Sequence, residues 1–104
     1  MRMMKGDAYR IPISIETADG LATPESFEDV EVCIGRSVRK TLSAGEITYD
    51  AERARFLVPL TQEETFALGM RSRMNVRCKY AGGDVVGIDL GILEFDPSLS
   101  REVI

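Results

Sequence analysis

The sequence predicts an all-β domain, a β-sandwich with one short helix between strands. Short runs of alternating apolar and polar residues recur about every 8 to 12 residues, separated by turn-forming residues. No strand-helix-strand rhythm of a parallel sheet is present. The length of 104 residues, with 44% apolar and 29% charged residues, is typical of one folded domain. A small barrel would give a similar pattern, and of the two we expect the sandwich.

The domain is expected to span residues 8–96, with a loose N-terminus at 1–7 and a loose tail at 97–104. Residues 1–7 contain three methionines, at positions 1, 3 and 4, and show no pattern that predicts structure. No apolar stretch follows the first positive charges, and none approaches the roughly 18 residues that cross a bilayer. We therefore expect a cytosolic protein without a membrane partner.

The first predicted strand covers residues 9–16, where Tyr9, Ile11, Ile13 and Ile15 share one face. Pro12 has no backbone N–H to donate, which favours an edge position for this strand. An Asp-Gly turn at 19–20 and a loop at 22–26 follow. The sequence thus begins its sheet with an edge strand.

The next strands are shorter. Residues 30–34 place Val30, Val32 and Ile34 opposite Glu31 and Cys33. Two further strands are expected at 38–42 and 47–49, around a turn at 43–46. Residues 54–60 form another, with Phe56, Val58 and Leu60 on one face and the end near Pro59.

A short helix is predicted after this strand. Thr61 and Glu64 match a capping box, in which each side chain accepts a hydrogen bond from the backbone N–H of the other residue. Gly69 is a natural stop. Only about two turns fit between them, so the helix is expected to depend on packing by Phe66 and Leu68.

A hairpin closes the predicted domain. Residues 74–80 and 86–92 both alternate, with Met74, Val76, Cys78 and Tyr80 facing inward opposite Val86, Ile88, Leu90 and Ile92. A three-residue turn at 82–84 would pair Val76 with Leu90. The same register would set Arg77 opposite Asp89 on the polar face.

The composition argues against catalysis. The chain has no histidine, which removes the usual general base, the activated Ser and Cys nucleophiles and imidazole metal sites. Adjacent carboxylates at 28–29, 50–52 and 63–64 lie in turns or at a helix start, where acidic residues serve solvation and capping. We expect no enzyme activity, no cofactor and no metal.

The two cysteines are expected to stay unpaired. Cys78 shares the parity of the inward Val76, whereas Cys33 shares that of the outward Glu31. Side chains on opposite faces cannot form a disulfide without movement of the backbone. Cys78 is therefore predicted to be a core residue and Cys33 a surface or interface thiol.

A basic face is the candidate docking site. Its residues are Arg71, Arg73, Arg77 and Lys79 on one strand, with Arg53 and Arg55 joining from another. The face is either an anion-binding or partner-docking surface, or a solvated sheet face with cross-strand ion pairs. The net charge of −4 and the absence of interleaved aromatic residues make nucleic acid an unexpected partner.

The order of these elements resembles the N-terminal immunoglobulin-like domain of tailed-phage baseplate upper proteins. The resemblance spans about residues 9–95. It is carried by RIPI at 10–13, DG at 19–20, VEV at 30–32, ITYDA at 47–51, FLVPLTQEET at 56–65 and GILEF at 91–95.

The resemblance implies an immunoglobulin-like sandwich and a structural role in a phage or prophage particle. The chain would self-associate and dock to other phage structural proteins, and it would become a virion component. The family offers no catalytic residues to carry over. The alternative is a free-standing intracellular binding domain that uses the basic face for an anionic partner.

Overall fold

The computed structural model describes all residues, 1–104, and is mostly β, as predicted. It contains ten strands, one α-helix and one turn of 3₁₀ helix, and no helix has the length and apolar character of a membrane span. The strands are β1 Arg2–Met4, β2 Tyr9–Ile13, β3 Glu16–Thr17, β4 Gly20–Leu21, β5 Asp29–Ile34, β6 Val38–Thr41, β7 Thr48–Asp50, β8 Arg55–Leu60, β9 Arg71–Lys79 and β10 Val85–Asp96. Helix α1 is Gln62–Ala67, and the 3₁₀ turn is Pro24–Ser26.

The strands form two main sheets and one small hairpin. The five-stranded sheet has the order β1-β10-β9-β5-β6, and the three-stranded sheet has the order β2-β8-β7. All pairs are antiparallel except β1 with β10, which is parallel. Strands β3 and β4 form a separate two-stranded hairpin.

The two main sheets contribute to one apolar core. Alternate residues of β5 and β9, such as Val32 and Val76, are fully buried. From the second sheet, Ile11, Phe56 and Val58 are buried in the same cluster. Burial of each such side chain contributes about 1.5–3 kcal/mol, so this cluster is the main source of stability.

Two local predictions in the first two-thirds of the chain are confirmed. Strand β2 lies at the edge of its sheet, the position that Pro12 favours. Thr61 accepts a hydrogen bond from the backbone N–H of Glu64 at 3.1 Å, and Glu64 accepts one from the backbone N–H of Thr61 at 2.9 Å. The inward placement of Tyr9 was wrong, because at the start of this edge strand its side chain is exposed.

The predicted register of the last hairpin is two residues off. Val76 lies opposite Ile88, and Asp89 lies opposite Asn75 rather than Arg77. A bulge follows Asp89, since the next paired residue, Gly91, lies opposite Met74. The extra residue changes the parity of the strand, so Leu93 and Phe95 are buried and Ile92 is not.

The N-terminus is not loose as expected. Residues 2–4 form β1, in which Met3 is buried beside Phe95. Burial of the Met3 side chain against the end of β10 gives this segment its structure. Residues 97–104 contain no helix or strand, although the backbone N–H of Ile104 donates to the Gln62 side chain at 2.9 Å.

The cysteines are free, and Cys78 is buried whereas Cys33 is half-buried. Desolvation raises the pKa of the Cys78 thiol. Burial and then the neighbouring Glu31 carboxylate raise the pKa of the Cys33 thiol. Both thiols are therefore held in the less nucleophilic protonated form.

Candidate docking surfaces of the five-stranded sheet

The outer face of β9 carries the basic residues that the sequence indicated. Side chains alternate between buried and exposed along the whole strand, so Arg71, Arg73, Arg77 and Lys79 all point away from the core. They share this face with the outward residues of β5 and β10, which lie on either side of β9. We call these four residues the basic row.

Arg53 and Arg55 do not join the basic row, so that part of the expectation was wrong. Arg55 begins β8 in the three-stranded sheet, and Arg53 lies in the turn before it. The Arg55 guanidinium instead lies 3.4 Å from the Asp50 carboxylate on the neighbouring strand β7. Because Arg55 belongs to the other sheet and Arg53 to the turn that leads into it, both are on a different surface of the domain.

Glu31 is the centre of the charge network beside the basic row. Its carboxylate accepts from Arg77 at 2.6 Å on one side and from Arg39 at 2.5 Å on the other. The Glu31 side chain is only 11% exposed. The hydrogen bond from Arg77, reinforced by Arg39, outweighs desolvation and lowers the pKa of Glu31. Arg77 on β9 thus pairs with Glu31 on β5, not with Asp89 on β10.

Most of the basic row is paired with acidic side chains. Arg71 lies 3.3 Å from Glu94, and Lys79 lies 3.7 Å from Glu28. Arg73 forms no ion pair. Exposed pairs of this kind contribute about 0–1 kcal/mol each, so they shape the surface charge more than the stability. A face that carries both signs suits a protein of mixed charge better than a polyanion.

Acid should weaken the fold through Glu31. Its pKa is lowered by folding, so its contribution is complete above the unfolded-state pKa, near 4.3, and is lost as the pH falls through the folded value. At pH 7 we expect Glu31→Gln to lower the free energy of unfolding by about 1–2 kcal/mol. Urea unfolding between pH 7 and pH 3 measures this, and the difference from the wild type should shrink toward acid.

Glu28→Gln is the matched control. Its carboxylate is exposed and lies 3.7 Å from Lys79, so the substitution should change the free energy of unfolding by less than about 0.5 kcal/mol. An equal effect of the two substitutions, or a Glu31→Gln difference that does not change with pH, would contradict the role given to Glu31.

The second surface is the open edge of β10. Strand β1 pairs only with Glu94–Asp96, so the part of β10 from Val85 to Ile92 has a neighbour on the β9 side alone. Half of the backbone N–H and C=O groups in an edge strand point away from the sheet. We call residues 85–92 the open edge.

The open edge also exposes apolar side chains. Val85, Val86 and Ile88 are 53%, 48% and 42% exposed, respectively. Val86 and Ile88 lie opposite the buried Cys78 and Val76, so they belong to the inner face of the sheet but extend beyond the core. Unpaired backbone beside exposed apolar side chains is a usual template for another strand.

Two of the depressions on the molecule lie at or near these elements. One of about 510 Å³ is on the outer face, and Arg73, Asn75 and Gly87 are among its lining residues. Another of about 680 Å³ lies between α1 and the C-terminal residues. At the second, Lys5 Nζ donates to the carbonyl oxygens of Phe66 and Leu68, which anchors the end of α1. No group of three or more His, Cys, Asp or Glu side chains is arranged to hold a metal ion.

Sequence reasoning missed Glu31 and the open edge. Glu31 was seen only as an outward residue of β5, because the pairing of β5 with β9 joins segments that are far apart in the sequence. The open edge depends on the length of the neighbouring strand, which no local pattern reveals. The glycines at 87 and 91 were the available signal, since glycine within a strand often marks a bulge or a close approach.

The two surfaces differ in what they offer a partner. The basic row and Glu31 offer charges of both signs, and the open edge offers backbone hydrogen bonds with apolar side chains. In comparisons with known proteins, the chain matches no protein-family model, and no match is found among the curated proteins or the solved structures.

Proposed function

We propose that the chain is a non-catalytic protein-docking module, an immunoglobulin-like sandwich that serves in the assembly of a phage or prophage tail or baseplate. The observation that carries the docking role is the open edge of β10, with its exposed Val85, Val86 and Ile88. The assignment to a phage or prophage particle is supported by the resemblance of residues 9–95 to the N-terminal domain of baseplate upper proteins.

The open edge would bind a partner by strand addition. An added strand takes its affinity from backbone hydrogen bonds and its specificity from the side chains on either face. Here the inner face would supply Val86 and Ile88, and the outer face would supply Val85 and Asp89, with the basic row one strand away on β9. A partner strand with apolar residues on one side and mixed charges on the other fits this surface.

Purified particles test the proposal. Phage particles are prepared from the organism that encodes the chain and separated on a density gradient. Mass spectrometry then measures how much of the chain remains with the particles in high salt. We expect the chain in the particle fraction at a fixed ratio to the other structural proteins. Recovery only in the soluble fraction would overturn the assignment to a particle.

Two matched variants locate the docking site. Ile88→Lys places a charge on the open edge and should reduce incorporation into particles by about tenfold or more. Leu21→Lys places the same charge at a residue of similar exposure, 49%, in the small hairpin β3–β4, and should be incorporated normally. Equal incorporation of both variants would contradict docking through the open edge.

A further inference from the structure

We propose that the occupant of the open edge is the open edge of a second copy of this chain. The two β10 strands run antiparallel about a twofold axis at Gly87 and join the five-stranded sheets into one continuous sheet. This inference rests on the docking function proposed above and names its partner.

The hydrogen bonds of the hairpin show which backbone groups of β10 are free. The backbone N–H of Tyr80 donates to the carbonyl of Asp84 at 2.8 Å, which makes 80 and 84 a bonded pair of the hairpin. On the other side of β9, the backbone N–H of Glu28 donates to the carbonyl of Lys79 at 2.7 Å, so the backbone groups of Lys79 face β5. Since the direction alternates along an antiparallel ladder, residues 86 and 88 bond to β9. Residues 85, 87 and 89 then direct their N–H and C=O groups outward.

These outward groups match those of a second copy. With the axis at Gly87, each Gly87 lies opposite the other, and Val85 of one copy lies opposite Asp89 of the second. Each of these three residues before the bulge then meets an outward residue of the second copy, which gives about six backbone hydrogen bonds, two at each of three pairs. A shift of the strand in either direction leaves one of the three outward residues without an outward partner, so this register is the most complete.

The side chains agree with the same register. Val86 of one copy lies opposite Ile88 of the other in a pair that is not hydrogen-bonded, where side chains are closest. The two exposed apolar side chains of each copy would therefore cover those of the second. On the outer face Asp89, which has no ion pair within the chain, would stand beside Val85 and one strand from Lys79 of the second copy. An opposite charge then lies near each Asp89.

Gly87 is not explained by the single chain. Its φ is not in the left-handed region, and an added Cβ would lie 3.7 Å from Cγ of Arg77, an ordinary van der Waals contact. Glycine in a strand is unfavourable without such a need, and it often marks the close approach of another backbone. A twofold axis at this residue supplies such a neighbour, because it places the backbone of the second copy directly opposite Gly87, at a Cα separation of about 5.5 Å.

Solution mass measures the association. A contact limited to one strand edge is small, so we expect a dimer with a Kd of about 10–100 μM, the weak end of specific association. Sedimentation velocity of the purified chain from about 1 μM to 1 mM covers this range. The mass should double across the series. Ile88→Lys should raise the Kd by about tenfold or more, and Leu21→Lys should not change it.

Crosslinking tests the register. In a Cys33→Ser background, Gly87→Cys places two thiols opposite each other on the axis, with a Cα separation of about 5.5 Å that a disulfide can span. Mild oxidation should give a covalent dimer. Asp89→Cys in the same background should not give a covalent dimer, since residue 89 of each chain lies opposite Val85 of the other and far from the other residue 89.

A monomer at every concentration would overturn the self-pairing. Dimers that crosslink through Asp89→Cys and not through Gly87→Cys would overturn the register and the axis. Both failures are distinguishable from failure of the proposed function, because a monomeric chain that still enters particles docks through another protein's strand. A chain that dimerises yet never enters particles contradicts only the particle assignment.

Discussion

Phe56→Ala is expected to remove about 4 kcal/mol of stability, which is a large part of the 5–15 kcal/mol typical of a domain. The Phe56 ring is fully buried on β8 and lies 5.0 Å from the Tyr49 ring and 6.4 Å from the Phe27 ring, centroid to centroid. Alanine would lose the transfer free energy of the ring and leave a cavity that these neighbours only partly fill. Urea unfolding followed by circular dichroism measures the loss.

Leu99→Ala is the control for this substitution. Leu99 lies in the C-terminal residues with its side chain fully exposed, so the free energy of unfolding should change by less than about 0.5 kcal/mol. A loss of under about 1 kcal/mol for Phe56→Ala would mean that the two sheets do not share the core described.

Met3→Ala is expected to lower the free energy of unfolding by about 2 kcal/mol. This is the lower end of the range for truncating a buried methionine, because β1 is a short edge strand. Met3 is 6% exposed and pairs with Phe95, so its truncation removes contacts between the first and last strands. Thermal unfolding should show a melting temperature lowered by roughly 8–16 °C, since each kcal/mol is worth about 4–8 °C in a domain near this size.

Met4→Ala separates burial from a general effect at the N-terminus. Met4 lies in the same strand but is 48% exposed, and it is expected to alter the unfolding free energy by less than about 0.5 kcal/mol. If neither substitution changes stability, residues 2–4 are not held in the sheet, and the original expectation of a loose N-terminus would stand.

The alternation of apolar and polar residues correctly predicted which side chains of β5 and β9 are buried. Val30, Val32 and Ile34 are buried, as are Met74, Val76 and Cys78, because a period of two places them on the face that meets the core. The helix begins at its predicted cap for an equally local reason, since Thr61 and Glu64 are three residues apart. Where a turn or a cap decides the structure, a few neighbouring residues are sufficient.

Strand β10 shows where alternation fails. The apolar residues at 86, 88, 90 and 92 share one parity, and this pattern predicted one continuous inward face. One extra residue at the bulge shifts that parity, so the buried positions beyond it are Leu93 and Phe95. Gly91, with φ of 89°, adopts the left-handed conformation that such a bulge requires. The glycine was visible in the sequence, but its φ depends on the pairing with β9.

The candidate site divides in the same way. The basic row on β9 follows from the alternation within one strand, and four of its six predicted residues lie together. The other two, Arg53 and Arg55, were wrongly grouped because membership of a sheet is a long-range property. The Glu31 network, which pairs β5 with both of its neighbours, is long-range for the same reason.

The parallel pairing of β1 with β10 has a consequence for synthesis. Arg2 leaves the ribosome more than 90 residues before its partner Glu94. The hairpin of β9 and β10 closes over a short turn and can form early, but β1 must wait for a long loop to close, which is entropically slower. The Met3 side chain therefore stays exposed until β10 has been synthesised, and it becomes buried only as the sheet is completed.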